Sequence, residues 1–385
     1  MFYDDLFCSL TNSFYPKNSS NNSPTSTLTE LTETETTSKN SKFFSDIENL
    51  YILGKTYPKP IDEKELLGDI STRLWFTYRK GFSQINGSGP DSDQGWGCMI
   101  RCGQMLLAET FIRLYLGRDF KWDSENTGNP FYWKILAYFK DEKLAPYSIQ
   151  QIAMMGVGEG IQIGKWFGPN AIAQVLNKLT TFEESNHLRF YIAMDNSIFI
   201  DEIYELMKTC NKCIKCKQHK KGICEDWSPL LLIIPLRLGL NEFNQDYTEP
   251  LKKCLETKYS VGMIGGKPNQ AYYFYGYLDD DLLYMDPHEC QPYVPNFVEE
   301  MNDSSYHTNI MWKLKFSQLD PSIALGFVCK YEEDFLDLID ILQKNIVKKG
   351  DLHSLFEIAN KRPDFDNISA CDSIDFQSDD EFVLI

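Results

Sequence analysis

Residues 95–117, GWGCMIRCGQMLLAETFIRLYLG, constrain this chain more than any other stretch. Apolar side chains recur at 99, 102, 105, 106, 111, 112, 115 and 116, a spacing that predicts one long helix. Gly117 closes it as a C-cap. A cysteine, Cys98, then stands at the helix start, behind Gly95, Trp96 and Gly97. Unpaired N–H groups and the helix dipole favour a thiolate there, lowering the thiol from its ordinary value of about 8.5. Gly95 and Gly97 present no side chain, so a substrate carbonyl can approach the backbone closely, with the Cys98 N–H facing a developing oxyanion. The competing reading is a buried structural cysteine on an apolar helix.

A thiolate nucleophile needs a base. The chain has His187, His219, His288, His307 and His353. Of these, His288 follows the β-rich run DLLYM and stands two residues after Asp286 in MDPHE. In extended chain such residues face one side, so Asp286 can orient the imidazole and leave its other nitrogen for a thiol. Pro287 stiffens the pair. His219 falls in a Lys- and Cys-rich loop, and His307 in a polar stretch read as exposed.

Other segments set the fold class. PNAIAQVLNKL (169–179), DEIYELMK (201–208) and EEDFLDLIDILQKNI (332–346) read as helices. LLLIIPL (230–236), AYYFYGYL (271–278) and DLLYMD (281–286) read as strands, the last two as a hairpin. The expected class is α+β, a helical layer against an antiparallel sheet.

The body is expected over 44–350, between a polar N-terminal arm (1–43) and an acidic C-terminal tail (351–385), both read as largely disordered. A net charge of −17 repels phosphate backbones, which argues against nucleic acid as a partner. The N-terminus lacks a basic signal region, and the run at 230–236 is too short to span a bilayer. These readings suggest a soluble, cytoplasmic protein in a reducing compartment, where an unpaired cysteine stays reactive.

The motifs also carry a resemblance. GWGCMIRCGQM, STRLWFTYRKGF (71–82), MGVGEGIQIGKWFGPN (155–170), IPLRLGLNEFN (234–244), GMIGGKPNQAYYFYGY (262–277), LLYMDPHECQP (282–292) and LDPSIALGFVCK (319–330) resemble, in collinear order, the autophagins. These are cysteine proteases that process the ubiquitin-like modifier of autophagy. The resemblance implies a papain-like fold with a family-specific insertion, no cofactor, and a triad of Cys98 (nucleophile), His288 (base and acid) and Asp286 (orienter). Gln94 is an attractive oxyanion donor on papain-like logic, but it stands four residues before the cysteine. The resemblance gives that role to Tyr78 of FTYR. It further implies cleavage after a C-terminal glycine of the modifier and release of the modifier from phosphatidylethanolamine, hence a peripheral encounter with autophagic membranes, by a monomer. Trp166 would line a narrow channel, with Gly265, Gly266, Pro268 and Asn269 in a covering loop whose Pro268 stacks on Trp166; the plain alternative for Trp166 is a core aromatic.

At the chain ends, Phe382 with Ile385 after three acids, and Tyr3 with Leu6, match a short pattern that adds a strand to a modifier's sheet edge. Cys102, one turn after Cys98, is a candidate redox partner or a core cysteine. Cys213, Cys216, His219 and Cys224 have a spacing compatible with zinc, but the segment 210–224 suits a solvated lysine-rich loop as well, and no metal is assigned. Two rival readings remain: a deubiquitinase-like thiol protease and a catalytically silent modifier-binding scaffold.

Overall fold

The computed structural model describes residues 47–125, 128–183, 187–208, 227–296, 300, 302–347 and 354–363. The four motif residues at the chain ends and the Cys/His-rich segment 210–224 lie outside them. In chain order the elements are β1 (Leu50–Ile52), β2 (Lys55–Thr56), α1 (Glu63–Thr72), β3 (Tyr78–Lys80), α2 (Cys98–Tyr115), α3 (Pro130–Ala137), α4 (Ile149–Val157) and α5 (Pro169–Phe182). Then follow β4 (Arg189–Ile192), β5 (Ser197–Phe199), α6 (Ile200–Lys208), β6 (Leu230–Arg237), α7 (Thr248–Glu256), β7 (Ser260–Lys267) and β8 (Gln270–Leu278). The chain continues through β9 (Asp281–Met285), β10 (Cys290–Pro292), β11 (Trp312–Lys315), β12 (Ser322–Cys329), α8 (Glu332–Asn345) and β13 (Glu357–Ala359).

The main sheet runs β11-β9-β8-β7-β12-β6-β4, with β1 beside the end of β8 and β2 beyond it. Its pairings are antiparallel except β4 with β6. Alternate side chains feed two cores. Leu231 and Ile233 of β6 join α2 and α5, whereas Leu230, Leu232 and Ile234 join α7 and α8 on the opposite face. The α+β class holds, but helices cover both faces of the sheet instead of one. The unbroken apolar run LLLIIPL is what a strand buried on two sides requires.

Helix α2 is the structural centre. It packs against β7, β8 and β12 on one side and against α3, α4 and α5 on others, so nearly all of it is buried, including Arg101, Gln104 and Glu109. Gly103 permits this: a Cβ there would come 2.5 Å from Cγ1 of Ile172 on α5. Gly117, at φ +85°, ends the helix by donating its N–H to the Ile112 carbonyl, as expected of a C-cap.

The packed body runs past residue 350. Leu355 and Phe356 are buried in the second core, and β13 adds in parallel to β5. Arg362 then pairs with Glu202 at 2.7 Å and lies over the Phe199 ring. The expected tail boundary at 351 is therefore too early; the docked segment reaches Arg362. His307 also departs from expectation. It is buried and stacked on Trp122 at 3.8 Å, with Nε2 2.6 Å from the Tyr132 hydroxyl and Nδ1 2.7 Å from the Ser71 carbonyl.

Candidate active site

Cys98 is the first residue of α2, and its N-cap is Gly97. The turn before it is built on Asp93. The Asp93 carbonyl accepts the N–H groups of Trp96 and Gly97. Its buried carboxylate accepts the Arg79 N–H at 2.7 Å and two bonds from Arg101, at 2.8 and 3.0 Å. Arg101 reaches on to Asp141 at 2.8 Å. Burial works against its charge, but Asp141 and Asp93 outweigh that and hold the guanidinium protonated. Asp93 thus ties the Tyr78–Arg79 strand to the first turn of α2. The turn also accounts for Gly97, since a Cβ there would stand 2.3 Å from Oδ2 of Asp93.

The opposite wall comes from the segment after β9. Asp286 Oδ1 accepts the backbone N–H of His288 at 2.9 Å and lies 2.6 Å from its Nδ1. Trp75 donates its indole N–H to the Asp286 carbonyl at 2.7 Å, and the Tyr78 N–H bonds the Pro287 carbonyl at 2.9 Å. Strands β3 and β10 pair in parallel, placing Tyr78 opposite Cys290. As a result the Tyr78 ring meets the His288 ring edge-on at 5.5 Å, and Tyr272 does so at 5.6 Å from another side.

These groups converge on one sulfur. The Cys98 side chain is buried, which alone would push the thiol up. Hydrogen bonding from His288, Tyr78, Trp166 and the Ala271 backbone outweighs burial and brings the thiol below its ordinary value. His288 moves the other way. Burial would lower it, but Asp286 and the sulfur raise it to about 9. A lowered thiol beside a raised imidazole favours passing the thiol proton to the ring. His288 Nε2 is buried, and among the described residues no group other than the sulfur engages it.

Trp166 lies in the loop between α4 and α5, half exposed, with its indole N–H 3.2 Å from Cys98 Sγ. It is not a core aromatic. Residues 265–269 form the tip of a hairpin. Gly265 and Gly266 belong to β7, opposite Tyr272 and Ala271, and Pro268-Asn269 is the two-residue turn with Asn269 at φ +66°. A Cβ on Gly266 would meet the Gln270 carbonyl oxygen at 1.8 Å, so that strand cannot take a side chain there. Gln94 is exposed, and its N–H bonds Ser92. Cys102 is fully buried, and burial, then Cys98 and Asp286, push its thiol well up, which suits core packing better than redox exchange.

Sequence reasoning brought Cys98, Asp286, His288, Tyr78 and Trp166 to one site. It missed Trp75, Tyr272, the Ala271 N–H and the Asp93–Arg101 clamp. Only the clamp left a signal, an arginine inside the apolar first turn CMIRC of α2. No helix among the described residues is long and apolar enough to cross a membrane.

Comparison with known proteins agrees with this geometry. A family model for the peptidase C54 catalytic domain matches residues 63–341. Cysteine protease ATG4A of Gallus gallus is 44% identical over 341 residues, covering 84% of this chain and 89% of that protein. Human cysteine protease ATG4A is 44% identical over 334 residues, covering 82% and 83%. Cysteine protease ATG4B of Xenopus laevis is 44% identical over 326 residues, covering 82% and 84%. With a matched domain spanning most of the body, the chain belongs to the peptidase C54 family, the autophagins, and is a cysteine protease.

Proposed function

We propose that this protease cleaves the ubiquitin-like modifier of autophagy after its C-terminal glycine, and hydrolyses the amide joining that glycine to phosphatidylethanolamine. The observation that carries the reading is the single thiol, Cys98, at a helix start beside an imidazole held by Asp286. Cys98 attacks the glycine carbonyl. Tyr78 donates its O–H to the oxyanion, and His288 returns its proton to the leaving amine. Water, activated by the same ring, then releases the modifier from the thioester. Both reactions are acyl transfers from the same glycine, so one site serves for both.

Trp166 and the β7–β8 hairpin tip, with Gly265, Gly266, Pro268 and Asn269, form the channel for that glycine. The half-exposed Trp166 ring beside the sulfur supports this reading, because a side chain on the substrate would compete with it for space. Phe382 with Ile385 and Tyr3 with Leu6 tether the modifier and raise its effective concentration. The protein works as a cytoplasmic monomer that meets autophagic membranes peripherally.

The test is incubation with a tagged modifier precursor and with modifier conjugated to phosphatidylethanolamine vesicles, alongside a ubiquitin fusion. Wild type should cut the first two and spare the third, and Cys98→Ala should cut none. Equal cleavage by both proteins removes Cys98 as nucleophile; cleavage of ubiquitin alone removes the substrate.

A further inference from the structure

We infer that Trp166 is a catalytic residue through its indole N–H, which holds the Cys98 thiolate in the substrate-free enzyme, separately from any role of its ring in the substrate channel. The inference deepens the nucleophile assignment made above and rests on it.

The argument begins with donor chemistry. An indole N–H only donates, so 3.2 Å between Nε1 and Sγ is a hydrogen bond to sulfur. A neutral thiol accepts weakly, whereas a thiolate is a full anion, and donors to ionised groups form the stronger bonds. The bond therefore discriminates between the two states of Cys98.

Placement gives the second strand. Trp166 is 49% exposed as a residue, so about half of it faces solvent. The donor points instead at a sulfur on a residue that is 2% exposed. The next residue holds the loop there. Phe167 is buried against α4 where Gly156 has no side chain; a Cβ at Gly156 would fall 2.3 Å from Phe167 Cζ. The loop then enters α5 at Pro169. Trp166 is thus anchored by its neighbours, with its ring free of the core.

The proton and charge follow a consistent course. Cys98 gives its proton to His288, and Trp166 and Ala271 N–H groups bond the resulting anion. When sulfur bonds carbon, its charge passes to the carbonyl oxygen and the Trp166 bond weakens, while Tyr78 takes up the new anion. A donor of this kind stabilises the reactant, not the transition state, so it raises the amount of thiolate and lowers the reactivity of each thiolate.

That distinction gives a test without any protein substrate. Iodoacetamide modification of Cys98, read by peptide mass spectrometry, is followed from about pH 5 to about pH 10 in wild type and Trp166→Phe. The variant's midpoint should rise by about one pH unit, cutting the thiolate fraction on the acid side roughly tenfold and the reaction there, given the higher reactivity of each thiolate, roughly threefold. Its alkaline plateau should be about threefold higher, since nucleophilicity follows basicity with a slope of about 0.4–0.5. The two profiles should therefore cross. Replacement of Trp166 by 3-benzothienylalanine, which keeps the bicyclic ring and lacks the N–H, should reproduce the shift. Superimposed profiles, or a loss at every pH with an unmoved midpoint, overturn the inference. Failure of wild type to cleave the modifier would overturn the proposed substrate and leave this result standing.

Discussion

The Asp286 carboxylate holds His288 twice, at the backbone N–H (2.9 Å) and at ring Nδ1 (2.6 Å), through the same oxygen. The first bond fixes the turn, and the second fixes the tautomer that leaves Nε2 for sulfur. Asp286→Asn keeps the shape and removes the charge. Its amide can turn an N–H toward Nδ1, which favours the wrong tautomer. We expect kcat for modifier cleavage to fall on the order of 10³-fold with KM nearly unchanged. A fall confined to KM would show that Asp286 acts on substrate binding instead.

The pH profile follows from the same pair. Sulfur and ring titrate together, so both limbs belong to the couple. Activity should rise as the lowered Cys98 thiol ionises and fall as His288 loses its proton near about 9. For stability the sign is that of a raised group. The His288 contribution is complete below its unfolded value of about 6.5 and is lost as pH rises through the folded value. In Asp286→Asn the alkaline limb should move to lower pH. NMR titration of the His288 ring measures this directly, and an unmoved midpoint would refute the coupling.

The Asp93–Arg101–Asp141 cluster predicts a stability effect. Arg101→Met leaves two buried carboxylates without their shared cation, which typically costs about 3–5 kcal/mol. Urea unfolding should show that loss, and Arg101→Lys should recover only part of it, since an ammonium cannot span both acids with a planar fork. Gly97→Ala should behave differently. Its methyl displaces the Asp93 carboxylate next to Cys98, so turnover should fall further than the unfolding midpoint does. Wild-type stability in Arg101→Met would mean that the cluster does not hold this turn.

Some of this was legible in the chain and some was not. Helix α2, strand β6 and the pair Asp286 and His288 could be read because each is local: a periodicity, a run, or an i, i+2 relation. The Trp75 bond to Asp286 joins residues 211 positions apart, and no local pattern reports a crossing of that kind. Strand β7, SVGMIGGK, was hidden by three glycines that weaken any strand pattern yet are needed where neighbouring backbone and side chains press close. The docked segment at 354–362 escaped because three residues of parallel pairing leave too short a signal. His307 was misread since polar neighbours suggested solvent, whereas Trp122 and Tyr132 cover it.

The hairpin tip supplies the last prediction. Asn269 at φ +66° sits in the left-handed region after Pro268, a conformation that asparagine tolerates and a β-branched residue resists. Asn269→Val should strain the turn by about 1–2 kcal/mol, while Asn269→Gly should leave it intact. Ala271 lies two residues on, and its N–H contributes to lowering the Cys98 thiol. Strain at the tip should therefore reach the sulfur. We expect faster hydrogen exchange at the Ala271 amide in Asn269→Val, together with a higher pH midpoint for Cys98 alkylation. Asn269→Gly should match wild type in both. If exchange quickens while the alkylation midpoint stays put, the hairpin and the nucleophile are independent, and the tip acts only as a cover over the channel.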